Sequence, residues 1–483
     1  MVLGGAQAGQ DRKHRSVGSG FKPDPTERCG QPPESVFNNH TFNSFLHHSS
    51  AIQHLEQGFS QITLNHPCPM KFLYPFFTLL LLCLMLQQGS AQPAYLLNIG
   101  VVDSLYSDIL HESREIYVQL PENYDPGRDQ KYPVVLVLDG EVLMDVVTTV
   151  YKNYYGGFLP EMVLVGISNS ENRTRDLTIS SIETRQGGAF TEESGEAENF
   201  TQFIAQELLP YLESKYPVTN YRTLIGHSFG GLFTVNTLVH HTELFDNYLA
   251  IDPSLDWDDQ RILKEARASL GPERFAGRSL FLTLSGQLHM QDYSITIDNV
   301  MEDTSEYTLF PRSNIEFSQL GQDHGASALD LKWKFYPKDI HGTVPLPSML
   351  DGLVGLFEWF QMEGTDKINH PDTPIEELVA IIRHREAKLE KHFGYFVPPY
   401  DEDLFNMLGY MYLDMGKPQK SHTIFQLNTE YYPNSANVYD ALADFYVTQK
   451  DYANALLQVT KAFEISGDAY HQARMAELKE KVE

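Results

Sequence analysis

Residues 224–232 read Leu-Ile-Gly-His-Ser-Phe-Gly-Gly-Leu, and the reading of that stretch decides the fold. Ser228 stands in a Gly-x-Ser-x-Gly frame with Gly226, His227, Phe229 and Gly230. Residues 221–225 before it, Tyr-Arg-Thr-Leu-Ile, are rich in strand formers, and residues 231–240 after it run on as a helix. A strand that turns sharply into a helix at a serine is a nucleophile elbow. The turn has no room for side chains at its flanks, so glycine is required there. The strain lifts the Ser228 hydroxyl above the sheet edge, within reach of a histidine and a substrate. Five residues alone match by chance in many chains, and a plain structural turn is the competing reading. The strand before and the helix after favour the nucleophile.

Working outward, residues 92–363 alternate strand-like and helix-like segments. Candidate strands fall at 114–120, 132–138, 162–167, 223–226, 248–251, 280–284 and 331–336. The runs at 132–138 (Tyr-Pro-Val-Val-Leu-Val-Leu) and 162–167 (Met-Val-Leu-Val-Gly-Ile) are almost unbroken apolar stretches, as in parallel strands buried on both faces. Residues 197–211 space Phe200, Phe203, Ile204, Leu208 and Leu209 along one side of a helix, and 350–360 reads as a closing helix. This alternation predicts an α/β fold with a mostly parallel sheet.

Residues 364–400 form a connector with Pro371 and Pro374, then a charged helix over 375–391. From 402 to 469 the chain repeats at a period of 34. Phe405, Leu408, Gly409, Tyr412, Ser421, Phe425 and Pro433 stand opposite Tyr439, Leu442, Ala443, Tyr446, Ala455, Val459 and Gly467. Large, large, small, aromatic, small, large is the tetratricopeptide pattern, in which the small residues let paired helices pack closely. Two repeats are fewer than the roughly three an independent array needs, so they are expected to lean on the connector helix or on the preceding domain. Residues 401–470 therefore read as a small all-α tetratricopeptide-like region, with a C-terminal helix or tail over 471–483. Such a region raises the expectation of a protein partner, with a purely structural appendage as the alternative.

An apolar content of 42% with 21% charged residues is that of a globular protein. The net charge of −28 falls almost wholly after residue 91, which disfavours nucleic acid and anionic membranes as partners. The three cysteines, Cys29, Cys68 and Cys83, all lie before that point, so the rest of the chain has neither disulfide nor thiolate metal site. Residues 70–91 carry a short basic start (Met70, Lys71), an apolar stretch over 72–86, and Gly89-Ser90-Ala91. That is a secretory signal peptide, too short for the ~20 residues of a membrane span. It predicts an exported bacterial protein, periplasmic or secreted, with no stable span once the signal is cleaved. A signal should begin a chain, so Met70 is read as the true start and the polar residues 1–69 as a non-native or disordered extension. The rival reading is a cytoplasmic tail ahead of a signal anchor.

In hydrolases with such an elbow the partners follow in the order serine, acid, histidine. His341, in Asp-Ile-His-Gly-Thr-Val-Pro, follows the 331–336 strand after a short loop and is the candidate base. His324 precedes that strand and is the lesser candidate; His240, His241 and His289 read as surface or helix-end residues, and His227 as pointing into the structure. The acid, which fixes the imidazole tautomer and stabilises the imidazolium, is expected after the 280–284 strand. Asp292 is the first choice, Asp298 and Glu302 lie in the same window, and a site without any acid stays open. The oxyanion needs two backbone N–H donors. One is assigned to Phe229 and the other to Gly140 or Glu141, with Gly140 letting that loop fold over the site. No phosphate loop, dinucleotide fingerprint or His-Glu-x-x-His is present, so no cofactor and no metal are expected.

With these residues in hand, the chain resembles the putative-esterase family of α/β hydrolases, which includes the enterobactin- and bacillibactin-type siderophore esterases and human esterase D. The resemblance covers nearly all of 104–363. It rests on Arg114-Glu-Ile-Tyr-Val-Gln-Leu-Pro-Glu-Asn-Tyr124, on 132–140, on Asn172-Arg-Thr-Arg-Asp-Leu177, on Gly226-His-Ser-Phe-Gly-Gly231 and on His341-Gly-Thr-Val-Pro-Leu-Pro347. It implies an α/β-hydrolase fold with Ser228 as nucleophile and His341 as base. A secreted bacterial subgroup is similar through Gly394-Tyr-Phe-Val-Pro-Pro399 and the helical tail as well. One run departs: where relatives tend to carry Ser-Pro-Ser-Leu-Trp-Trp, this chain has Asp252-Pro-Ser-Leu-Asp-Trp257. Asp252, Asp256 and Trp257 are accordingly expected at the substrate pocket, where the added carboxylates would change substrate preference.

The expected function is a serine carboxylic-ester hydrolase acting on a small-molecule ester through an acyl-enzyme on Ser228. The alternative is a non-catalytic platform, a degenerate hydrolase domain whose tail recruits a protein. A platform has no need to keep Ser228, both elbow glycines and His341 together. N-terminal sequencing of the native protein should begin at Gln92; a start at Met1 with an intact 70–91 segment would establish the anchored tail instead.

Overall fold

Eight strands join into one sheet, and four of them carry the site at their carboxyl ends. The computed structural model describes residues 100–127, 130–185, 187–269, 274–323 and 328–483. The extension 1–69, the signal at 70–91, the three cysteines and His324 lie outside the described residues. In chain order the strands are β1 Val101–Ser107, β2 Glu112–Gln119, β3 Tyr132–Val137, β4 Val163–Ile167, a small hairpin of β5 Thr184–Arg185 and β6 Gly188–Ala189, then β7 Val218–His227, β8 Asn247–Ile251, β9 Ser279–Ser285 and β10 Asp330–Tyr336. The large sheet runs β1-β2-β4-β3-β7-β8-β9-β10. The β1–β2 and β2–β4 pairs are antiparallel and every pair from β4 to β10 is parallel.

The apolar runs explain the layering. All six residues of β3 are buried. Val134 and Leu136 face one core, shared with Phe200, Phe203 and Phe233; Val135 and Val137 face the other, shared with Met144, Val147, Met349 and Leu353. Helices α1 Gly140–Tyr154, α2 Phe229–His240, α3 Trp257–Ser269, α4 Leu309–Asp323 and α5 Pro345–Leu356 cover the sheet. α1 and α5 supply the second core, α2 and α3 the first. This is an α/β-hydrolase architecture, followed by a helical region.

Some boundaries differ from the sequence reading for physical reasons. The helix expected over 197–211 is three pieces: α-helical at Ala197–Phe203, a π turn at Ile204–Leu208, and α-helical again at Leu209–Lys215. Pro210 has no N–H, and its ring crowds the carbonyl one turn back, so the helix widens there. The widened turn aims Glu207 at the β1–β2 turn, where it accepts from the Ser107 hydroxyl and from the backbone N–H of Asp108 (2.9 Å) and Ile109 (3.2 Å). The closing helix begins earlier than expected, at Pro345, and ends at Leu356; a proline in the first turn costs no hydrogen bond. β1, α1 and α4 are not among the elements expected from sequence.

Helix α6 Ile375–Phe393 belongs to two cores at once. Leu389 and Phe393 pack under the sheet near Tyr221, while Leu378 and Ile382 pack with Phe405, Leu408 and Tyr412 of the C-terminal helices. Those helices are α7 Glu402–Asp414, α8 Pro418–Tyr431, α9 Ala436–Thr448, α10 Tyr452–Ser466 and α11 Ala469–Val482. α7 pairs with α8 and α9 with α10. The pairing is close because Gly409 leaves space for the Phe425 ring, and Ala443 and Ala455 are fully buried. Among the described residues no helix is long and apolar enough to cross a membrane.

Arg385 pins α6 in place. It is buried, donates from Nε to the Pro399 carbonyl (2.6 Å) and from Nη1 to that of Phe360 (2.7 Å), and stacks over the rings of Phe360 and Tyr400. Arg385→Leu should strand these carbonyls and cost about 2–3 kcal/mol. The measurement is urea denaturation together with limited proteolysis of 361–374. Unchanged stability and unchanged cleavage would show that Arg385 does not hold the junction.

Candidate active site

β7 delivers Ser228 to the sheet edge in a backbone conformation that L-residues avoid, φ 60° and ψ −116°. Such a conformation costs of order 1–3 kcal/mol and persists only when its surroundings fix it. Here the Ser228 N–H donates to the Ile251 carbonyl (3.0 Å) and the Ser254 N–H donates to the Ser228 carbonyl (3.0 Å). A Cβ on Gly226 would strike the Gly230 backbone, and one on Gly231 would lie 2.7 Å from Pro253 Cβ. Gly230, expected to be required, has ordinary room, with its nearest neighbours at 3.5 Å. The steric demand therefore falls on Gly226 and Gly231, because the second residue of α2 faces Leu138 and Asp139 at ordinary contact distance while the third lies against the 252–257 segment.

His341 lies where the sequence placed it, in the loop after β10. Its Nε2 is 3.0 Å from Ser228 Oγ. Its Nδ1 is 2.6 Å from Oδ2 of Asp252, a fully buried carboxylate. The other oxygen of Asp252 accepts from the Ser285 N–H (2.8 Å), so the end of β9 orients the acid. The His341 N–H donates to Gln287 Oε1 (3.1 Å), and the Phe310 ring meets the imidazole edge-on.

Asp292 is not brought to this line. It is exposed, its Oδ1 accepts from the N–H (2.9 Å) and hydroxyl (2.7 Å) of Ser294, and those bonds hold its carboxyl below the usual range. Asp298 and Glu302 are exposed as well. The carboxylate on His341 comes from the end of β8, next to the elbow strand, and not from the loop after β9. Asp252 was expected at the substrate pocket; its carboxylate lies against His341 Nδ1, in the position expected of the acid. A signal was available, since Asp252 opens the run that departs from the relatives' pattern and directly follows the strand-like 248–251.

The other two pocket candidates also act from behind the surface. Trp257 is 1% exposed, with Nε1–H donating to the Ser180 carbonyl (3.0 Å). Asp256 pairs with Arg185 (3.3 Å), whose guanidinium lies over the rings of Phe229 and Trp257. The half-buried Arg185 and Phe229, and not Asp256 or Trp257, present themselves beside the serine.

The oxyanion candidates sit at two adjoining helix starts. β3 and β7 pair in parallel up to Val137 and Ile225, and α1 and α2 begin just beyond. The N–H groups of Phe229, Gly140 and Glu141 fall in first turns, where no carbonyl of the same helix can accept them and the helix dipoles are positive. Gly140 is needed for a different reason than expected: a Cβ there would lie 2.7 Å from the Gly166 backbone, so the glycine lets α1 pack on β4. The preceding Asp139 is left-handed (φ 52°) and its carboxylate is gripped through both oxygens by Arg173 (2.8 and 2.9 Å). Arg173 also donates to the His227 carbonyl (3.2 Å), which ties the 139–141 loop to the elbow. Arg173, His227 and Ser254 lie in the runs 172–177, 226–231 and 252–257, but neither they nor Gln287 were given a supporting role from sequence.

Asp252→Asn should keep the geometry but hold His341 in the wrong tautomer, lowering kcat on the order of 10⁴-fold, while Asp292→Asn should stay within about twofold of wild type. Steady-state ester hydrolysis by the two variants distinguishes the assignments, and the reverse ranking would restore Asp292.

Residues 107–298 match the family model described as "Putative esterase". The chain is 29% identical over 210 residues to the ferri-bacillibactin esterase BesA of Bacillus subtilis, a match covering 40% of this chain and 72% of that protein. It is 30% identical over 184 residues to the siderophore enterobactin esterase of Emericella nidulans, covering 35% of this chain and 59% of that one. Among solved structures, an IroE-like serine hydrolase from Shewanella oneidensis superposes with a TM-score of 0.56 at 25% identity, over 68% of this chain and 99% of the other.

Proposed function

We propose that this chain is an esterase of the α/β-hydrolase type and that it cleaves carboxylic esters through an acyl-enzyme on Ser228. The observation that carries the reading is the unbroken line Ser228–His341–Asp252, at 3.0 and 2.6 Å. As Ser228 Oγ attacks the acyl carbon, His341 Nε2 takes its proton, and Asp252 holds the opposite ring nitrogen and stabilises the imidazolium. The Phe229 N–H and that of Gly140 or Glu141 receive the charge that develops on the carbonyl oxygen, each donor worth about 3 kcal/mol of transition-state stabilisation. Collapse of the tetrahedral adduct expels the alcohol, which leaves with the proton from His341. Water, deprotonated by the same imidazole, then attacks the acyl-enzyme and frees the acid.

The named relatives act on siderophores, and a siderophore-class ester is our first substrate reading. The departure at 252–257 weighs less against it than the sequence implied, because Asp252 serves the triad and Asp256 is spent on Arg185. We read the 70–91 segment as placing the enzyme outside the cytoplasm, and the α7–α10 hairpins as tetratricopeptide-like repeats.

A hydrolysis screen of catecholate lactones, acetylated sugars and p-nitrophenyl acetate tests the reading, with Ser228→Ala as control. Wild type should turn over at least one ester and label with a fluorophosphonate, and Ser228→Ala should lose on the order of 10⁶-fold in kcat. Equal rates for the two proteins would overturn the mechanism.

A further inference from the structure

The catalytic line does not use His227, yet His227 touches it. Its Nε2 lies 3.0 Å from the main-chain carbonyl oxygen of His341, and the two rings are tilted together with centroids 4.5 Å apart. A carbonyl can only accept, so the His227 nitrogen facing it carries the proton. On its other side the His227 carbonyl receives Arg173, itself gripped by Asp139. His227 thus stands between the loop of the oxyanion candidates and the loop of the base.

We propose that His227 is a positioning residue, whose ring N–H holds the His341 main chain and so sets the reach of the His341 imidazole to Ser228 Oγ. The bond clamps the loop after β10 to the last residue of β7, one position from the nucleophile. The distance between base and nucleophile then depends on one short span of chain and not on the length of the loop. The groups that face His227 are His341, Asp252 and Arg173; burial first, then His341 and Arg173, hold its imidazole down to about 4. It is therefore an uncharged donor while the enzyme works, which matters because His341 becomes a cation in each half-reaction. A second cation against it would oppose that step.

The inference rests on Ser228 and His341 as nucleophile and base, and its test separates the two. In the full chain, His227→Phe keeps a ring but removes the donor, and His227→Gln returns an amide N–H within reach of the carbonyl. kcat and KM for p-nitrophenyl acetate, the rate of fluorophosphonate labelling and the thermal midpoint are measured for each. His227→Phe should lose on the order of 10²-fold in kcat with KM within about threefold, the effect of a misplaced base. His227→Gln should recover to within about tenfold of wild type. Wild-type kcat in His227→Phe, or no recovery in His227→Gln at equal thermal midpoint, overturns the proposal. Should His227→Phe fail to fold, His227→Gln decides by itself: kcat within about tenfold of wild type supports the proposal, and a loss beyond about 10²-fold at equal thermal midpoint overturns it. If wild-type Ser228 does not label at all, the nucleophile reading fails; if it labels and His227→Phe equals it, only the positioning role fails.

Discussion

The left-handed backbone at Ser228 is the constraint on which the rest of the site depends. A residue held at φ 60° relaxes unless something prevents it, and here prevention comes from three directions. β7 is buried behind it, the Ile251 and Ser254 backbones bond to its two ends, and Gly226 and Gly231 let the chain close without a Cβ in the way. The same closure seats Pro253 on Gly231, and Asp252 is the residue before that proline. The contact that makes the turn possible therefore also brings Asp252 to the site. Ser228, the Phe229 N–H and Asp252 are placed by one tight packing event between α2 and the end of β8.

Much of this was legible in the residues. The unbroken apolar runs at 132–138 and 162–167 could only be strands covered on both faces, and both are. The elbow and His341 were legible because local chemistry dictates them: a glycine-flanked serine between strand and helix, and a histidine after the last strand. Asp252 was not, because the acid is specified by which strands are neighbours. Its distance along the chain says nothing of that, and the expectation of an acid after the 280–284 strand pointed to the window holding Asp292. The oxyanion loop shows the same limit: Gly140 was visible as a special residue, but its reason, contact with Gly166, belongs to strand pairing. The π turn was hidden by a pattern that fits either helix type, although Pro210 marked the place.

The helical region shows how a pair of short hairpins is kept folded. The first leans on α6, and the second packs on Phe425 of α8 and Leu478 of α11. One stretch of α6 completes the core under the sheet and another completes the core of α7 and α8. Arg385 sits between them with carbonyls as acceptors and the rings of Phe360 and Tyr400 against its guanidinium. The sheet domain and the hairpins thus share one helix across their junction.

Taking the acid from β8 relieves the loop after β9 of catalytic duty beyond Gln287. From 288 to 308 that loop displays Met290, Tyr293, Met301 and Tyr307 to solvent, and its Asp292 folds back on Ser294. A segment that need not hold a carboxylate against an imidazole is free to change length and composition while the chemistry stays intact. In this architecture reactivity is anchored in strands that cannot drift, and the loop beside them is open territory for natural variation.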